Sequence, residues 1–419
     1  MMSTTSLSVM PPSKRAPDLD ASIRAVLAVY IAALPFKALL IVQRNGFLVL
    51  IALLVGWCAA NRRFFYSRTP YDMLLLAFVV WVGLTIPFAV APLYSLKEYG
   101  KLLEHMVVFY SVIFFFKELR ARQVLVGLIG IVAAAVTVYG LSQFNLQKPQ
   151  AVVSFLSAEV WLTTFLVMVI PFALVVALSD GSLKVRSGGA VISGLMVVCL
   201  FSTQSRAGLV ALVGEVWVIA WFLRSVSSRI FAMLVTVGAI AMTALVFNAS
   251  KTGVSADIVA LFPPERGISS AMHRLQIWQF SLLEIAKHWL VGIGYGNLSY
   301  LFLYDQAQEV FGPCQYCSAQ KTGTHNIFLY LALHVGVPGM LLFGCLLAWV
   351  ILRTSAEYRD AYDWLSKTVL LGTVGSVVGV MLRLQFDQMF VGSLAVFFWV
   401  LLALAVLSYP SCNRVAAEA

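Results

Sequence analysis

The chain has 419 residues, of which 61% are apolar and only 11% are charged, with a mean hydropathy of +0.89. A water-soluble domain cannot bury that much apolar surface, so the composition excludes an ordinary soluble enzyme and predicts a polytopic integral membrane protein. The net charge of +10 does not point to nucleic acid, because the 29 Lys and Arg residues are scattered through short loops and no nucleic-acid module is recognisable.

Residues 1–21 are polar and Pro-containing and lack the apolar core and small-residue cleavage site of a signal peptide, which predicts a retained cytoplasmic tail. Beyond them, runs such as Met73 to Val90, Trp161 to Leu178, Ile230 to Phe247 and Val391 to Leu407 approach the roughly 20 apolar residues that a bilayer-crossing helix needs. Hydrocarbon offers no water to open backbone groups, and period-two alternation is missing, so the fold class is all-α, a bundle of about twelve transmembrane helices. The spans fall near 22–43, 46–60, 71–91, 102–117, 122–143, 158–179, 188–205, 206–223, 229–248, 324–353, 365–385 and 390–409. Spans one to nine thus occupy 22–248, a large periplasmic loop occupies 249–323, spans ten to twelve occupy 324–409, and 410–419 is a second cytoplasmic tail.

Short cytoplasmic loops retain Lys and Arg, and placing both termini inside puts 17 of the 29 basic residues there, with at least two in every inside loop. The remaining cations outside the long loop are Lys37, Arg44, Lys97, Lys101, Lys148, Arg206 and Arg383. An outward excess of positive charge at a membrane surface fits an anionic headgroup or diphosphate ligand. Membrane lipids are therefore one expected partner class and nucleic acid is not.

Within the long loop, Ser269 to Trp289 reads as an amphipathic helix with Leu275, Trp278, Leu282, Ile285 and Trp289 on one stripe. The following Gly292-Ile-Gly294-Tyr-Gly296 is superficially like a phosphate loop, but no strand precedes it and its spacing is not that of a dinucleotide site. Cys58, Cys199, Cys345 and Cys412 read as small apolar packing residues, whereas Cys314 and Cys317 sit in the outer loop, where a local disulfide is the favoured reading and a redox-active pair the other. No further ligands stand at zinc spacing, so neither a metal nor a cofactor is expected.

Three segments carry candidate chemistry. In Ser202-Thr-Gln-Ser-Arg206-Ala-Gly208, Arg206 lies where one apolar run meets the next. A charge in hydrocarbon costs roughly 2.5–3.5 kcal/mol on insertion scales, so such a residue has a partner, lines a cavity, or snorkels to the surface. In His273-Arg274-Leu-Gln-Ile-Trp278, Arg274 is either an ordinary exposed helical cation or the second half of a clamp, since two guanidinium forks can each hold two diphosphate oxygens. Thr324-His325-Asn326 opens the tenth span with Thr324 as a plausible N-cap, and His325 is either a structural histidine or a base placed to take a proton from a hydroxyl. His105, His288 and His334 look structural. Lys97, Lys101, Arg383 and Asp387 are second-rank candidates whose ordinary reading is interfacial anchoring.

Taken in order, the Ser-Arg-Ala-Gly turn, Arg274 with Trp278, the Gly292 to Gly296 run, His325-Asn326 and His334-Val-Gly336-Val-Pro-Gly339 resemble the O-antigen ligase and polymerase superfamily of bacterial envelope glycosyltransferases. The resemblance spans roughly Leu195 to Gly344; the N-terminal half adds only span count and topology. Length and layout look most like the O-antigen ligase itself. The resemblance implies transfer of a finished polysaccharide from undecaprenyl diphosphate to lipid A-core at the periplasmic face of the bacterial inner membrane, with inversion. It implies Arg206 and Arg274 as diphosphate contacts and His325 as catalytic base. Two other readings stay open. One is a polymerase with a lipid-linked acceptor, and the other is a non-enzymatic flippase or exporter, which would line a transmembrane path with charges and repeat itself internally.

Overall fold

The computed structural model describes residues 17–145, 150–179, 182–252, 264–296, 299, 323–386 and 392–411. Among them the chain forms thirteen α-helices and no strand. These are α1 Pro17–Ala33, α2 Leu40–Asn61, α3 Asp72–Thr85, α4 Pro92–Phe115, α5 Leu119–Ser142, α6 Glu159–Leu178, α7 Leu183–Ser202, α8 Arg206–Leu223, α9 Val226–Thr252, α10 Pro264–Lys287, α11 Ile327–Asp360, α12 Trp364–Arg383 and α13 Ser393–Leu407. Twelve fall on the expected spans, and α10 is the amphipathic helix of the long loop. Seven of the helices, α2, α5, α6, α7, α8, α11 and α12, are long and apolar enough to cross a bilayer, and α3, α9 and α13 contain shorter apolar stretches.

Several expected boundaries need correction. The run 22–43 is two helices: Pro35 lies between them, and a short 3-10 turn at Lys37–Leu39 leads into α2. The Gln43 side-chain amide donates to the carbonyl oxygens of Ala33 (2.8 Å), Leu34 (3.4 Å) and Phe36 (3.2 Å), covering acceptors that the end of α1 leaves open. Helix α4 begins ten residues before the expected 102, so Lys97 and Lys101 are helical. Helix α10 starts earlier than Ser269 and ends before Trp289.

Helix α13 is apolar on every side, and every residue from Leu394 to Leu407 is buried, so it stands inside the bundle. Phe397 packs on Phe165 of α6 with ring centres 5.2 Å apart, and Trp399 meets Phe109 of α4 at 5.9 Å. Helices α6, α8 and α12 pack closely because α12 presents glycines: Gly372 lies against Phe172, Gly375 against Pro171 and Gly379 against Glu215. Large apolar side chains such as Ile41, Val55, Met73, Leu76, Val191 and Val237 point outward, as they should where lipid replaces water.

One end of the bundle is closed by polar side chains. The hydroxyls of Tyr71, Thr354 and Tyr409 interact in a buried group, with Thr354 3.1 Å from Tyr71 and 2.8 Å from Tyr409. Beside it Glu357 accepts from Ser411 Oγ at 2.5 Å and pairs with Arg353 at 2.5 Å. Arg122 donates to the Leu407 carbonyl, and the Arg63 guanidinium and Lys117 ammonium sit over the Phe114 ring at 5.9 and 4.9 Å.

Helix α11 is continuous in trace but broken in conformation at Val335 (φ −127°, ψ 15°) and Gly336 (φ 76°, ψ 168°). In an intact helix Leu333 O would accept from Val337 N and His334 O from residue 338. Val337 N instead donates to Trp289 O at 2.7 Å, and Pro338 has no N–H to give. The 288–296 loop fills the gap: Ile293 N donates to Leu333 O (2.9 Å) and Gly294 N to His334 O (3.0 Å). Trp81 Nε1 donates to Val335 O at 2.8 Å. A Cβ on Gly336 would lie 2.0 Å from Leu290 O. Gly336→Ala should therefore lower the thermal unfolding midpoint in detergent, with strain of about 1–3 kcal/mol from the backbone alone. Gly56→Ala, mid-helix with nothing within 4 Å of the added methyl, should be neutral or raise it.

Candidate functional site

The side chains singled out from the sequence and described here gather at the end of the bundle opposite the Tyr71–Thr354–Tyr409 group. Helices α8 and α12 run antiparallel, since Gly214 meets Leu382 and Ile219 meets Gly375. Arg206, first residue of α8, and Arg383, last of α12, consequently share that end. Ile327 N donates to Leu384 O at 2.9 Å, which brings the His325 turn to the end of α12. Arg206 is exposed, Arg274 and His325 are half-buried, and Arg383 is 3% exposed. Asp387, Cys314 and Cys317 lie outside the described residues.

The cap of α11 differs from the expectation. Asn326, not Thr324, is the N-cap: its Oδ1 accepts from Phe328 N at 2.9 Å and Leu329 N at 3.1 Å. Asn is as good a cap as Thr, and Asn326 alone lies in reach of the first free N–H groups. The Thr324 hydroxyl turns the other way and donates to Asn326 O at 2.9 Å. Asn326 Nδ2 donates to Gln385 Oε1 at 3.2 Å, a second tie to the end of α12. Between these two residues His325 adopts φ 50°, a left-handed conformation uncommon outside glycine. The turn is thus shaped by its neighbours' hydrogen bonds, and the imidazole is carried on a backbone that those bonds hold.

Arg274 enters on α10. The face of α10 that packs inward is Ile277, Phe280, Ser281, Glu284 and Ile285, all buried. This corrects the expected stripe: Leu275, Leu282 and Trp289 are each more than half exposed, and only Trp278 and Ile285 of that stripe pack against α11. The helix has two apolar faces, one against Ala332 and Leu333 and one open, and sequence periodicity finds the open one. Trp278 Nε1 donates to Thr324 O at 2.9 Å, joining the helix that bears Arg274 to the residue before His325.

The Gly292 to Gly296 run is no phosphate loop. Gly294 approaches Ala89 and Ser95, and Gly296 approaches Tyr94 and Glu98, so the run wedges the start of α4 against the break in α11. Lys97 and Lys101 are exposed on this part of α4, and Lys101 pairs with Glu98 at 2.6 Å. Burial, and after it the Glu98 carboxylate, push the Tyr295 hydroxyl above its ordinary pKa, so it stays protonated. Glu98 and Tyr295 have no motif and are found only from the fold. His334 is fully buried, stacked on Tyr330 with ring centres 4.1 Å apart and Nδ1 2.8 Å from Tyr330 O. His105 is likewise buried, and both agree with the structural reading. Among the described residues no three His, Cys, Asp or Glu side chains cluster as metal ligands would.

The corrected cap makes a checkable statement. Asn326→Ala should cost about 1 kcal/mol and speed amide exchange at Phe328 and Leu329, whereas Thr324→Val should leave both amides protected.

No curated protein matches the chain. Residues 191–344 match the family model described as O-antigen ligase, a segment that contains the Arg206 turn, α10 with Arg274 and Trp278, the His325 turn and the α11 break. The residues that join α10 to α11 at this end of the fold are thus mostly those the family model recognises, and over that segment the chain is similar to the O-antigen ligase family, a match that supports membership of the O-antigen ligase and polymerase superfamily.

Proposed function

We propose that the protein is a metal-independent, inverting glycosyltransferase. It ligates O-antigen polysaccharide from undecaprenyl diphosphate onto lipid A-core at the periplasmic face of the inner membrane. The observation that carries the reading is the Trp278-to-Thr324 hydrogen bond, which ties the helix bearing Arg274 to the turn bearing His325 at the end where α8 begins with Arg206 and α12 ends with Arg383. Three cations and one imidazole at one end are what transfer from a diphosphate requires. The lipid diphosphate leaves readily once its charge is stabilised, so positioning and electrostatics suffice.

In this reading the Arg206 and Arg274 guanidinium groups grip the diphosphate oxygens, Arg383 adds positive potential from its buried position, and His325 takes the proton of the acceptor hydroxyl. Attack from the opposite face expels the diphosphate and inverts the anomeric carbon. In this reading the opposite end of the bundle, with Arg63, Lys117, Arg122 and Arg353, is cytoplasmic by the positive-inside rule, and α1 begins and α13 ends on that side. A cavity of about 620 Å³ supports a prenyl-linked donor. It lies between α6, α7, α8 and α9, is lined by Leu174, Val197, Leu212, Val216, Phe231 and Val235 among others, and reaches Phe201 and Leu209, next to Arg206. Such a wall suits a hydrocarbon tail whose diphosphate sits at the surface above it.

Purified protein reconstituted with lipid-linked polysaccharide and lipid A-core should transfer sugar in the presence of chelator. His325→Ala should lower the rate by roughly 10²–10⁴-fold, as expected for a general base. Arg206→Ala and Arg274→Ala should each abolish or severely reduce transfer. A requirement for divalent metal, or wild-type activity in His325→Ala, would refute the mechanism, and product on a lipid carrier instead of lipid A-core would identify a polymerase.

A further inference from the structure

Two side chains proposed to act on one substrate sit on different elements, Arg274 on α10 and His325 in the turn before α11, and the chain between them, residues 275–324, is long. Their separation therefore cannot be set by local sequence and must be set by contacts across α10 and the outer part of α11. Trp278 makes such a contact twice over. Its ring packs in the small apolar cluster of Ile277, Ile285, Ile293, Ala332 and Leu333, and its Nε1–H reaches Thr324 O at 2.9 Å. Trp278 is also four residues after Arg274, one turn away on the same face of α10, and large helical side chains lean back toward the preceding turn.

Thr324 O belongs to the Thr324–His325 peptide. A donor on that oxygen fixes the orientation of the peptide plane, and with it the left-handed φ of His325. Thr324 is fully buried, so water does not replace the indole as donor. On the far side, the Asn326 cap and its bond to Gln385 hold the next peptide. His325 is thus set between a tie to α10 and a tie to α12.

We propose that Trp278 is a positioning residue for the transfer step: its indole N–H, through Thr324 O, sets the register between the Arg274 guanidinium and the His325 imidazole. The proposal rests on the assignment of His325 as the base. Trp278 itself touches neither substrate, so losing the N–H should act on turnover and leave donor binding alone.

The test replaces Trp278 by benzothienylalanine, which keeps the fused-ring shape and substitutes sulfur for the N–H, in the full-length reconstituted protein with lipid-linked polysaccharide and lipid A-core. Trp278→Phe serves as a second variant. Turnover should fall about 10- to 100-fold, the loss typical of a misplaced catalytic group, with KM for the lipid-linked donor within about twofold and the unfolding midpoint unchanged. Placed on a His325→Ala background, the same replacement should lower the residual rate no further, because groups that act as a unit are not additive. Wild-type turnover in the isostere overturns the proposal, as does an effect confined to KM or a full additional loss on the His325→Ala background. These results leave the glycosyltransferase reading intact. Full activity of His325→Ala alone removes the base, and the proposal falls with it.

Discussion

The break in α11 is the constraint on which the functional end of this molecule depends. A helix inside a bilayer cannot interrupt its hydrogen-bond ladder without giving the released carbonyls other donors, because each open polar group in hydrocarbon costs several kcal/mol. Pro338 removes one donor outright and the left-handed Gly336 turns the chain, so the oxygens of Leu333, His334 and Val335 must be met from elsewhere. Ile293, Gly294 and Trp81 meet them. The loop after α10 is therefore held where it is by the hydrogen bonds that the broken helix leaves open, and the non-helical backbone is tolerated because protein covers it.

That docking organises everything around it. The 288–296 loop is continuous with α10, so fixing the loop fixes the end of the helix that carries Arg274, and Trp278 then reaches the His325 turn. On its other side the same loop presses on α4 through Gly294 and Gly296 and brings Glu98 with Lys101 to the same end. The turn is tied in addition to the end of α12, whose close approach to α6 and α8 comes from glycines. Segments distant in sequence thus meet here through backbone and indole hydrogen bonds.

Much of the architecture was legible in the sequence because apolar length is so direct a signal in membrane proteins: the all-α class, a polytopic helix bundle and one amphipathic helix follow from composition and run length. What was not legible had specific causes. Pro35 splits an apolar run that hydropathy reads as one span, because hydropathy is blind to backbone breaks. Thr324 and Asn326 are both good caps, and only the three-dimensional turn decides between them. The stripe on α10 was misread because a helix with an open apolar face and a packed one offers two periodicities. Among the candidate residues, the ordered motif led to Arg206, Arg274 and His325, whereas the supporting contacts of Glu98, Tyr295 and Gln385 carry no pattern that a single sequence exposes.

The centre of the bundle is filled by the helix that is made after the others described. Helix α13 is buried from Leu394 to Leu407, and just beyond it Tyr409 joins Thr354 and, across more than three hundred residues, Tyr71. During biosynthesis the earlier helices enter the bilayer before their middle exists, so Phe109 and Phe165 must face lipid or one another until α13 arrives. Assembly of this bundle is therefore a late closure: the inserted helices wait for their axle, and the aromatic faces turned inward in the finished molecule are provisional lipid contacts until α13 has been made.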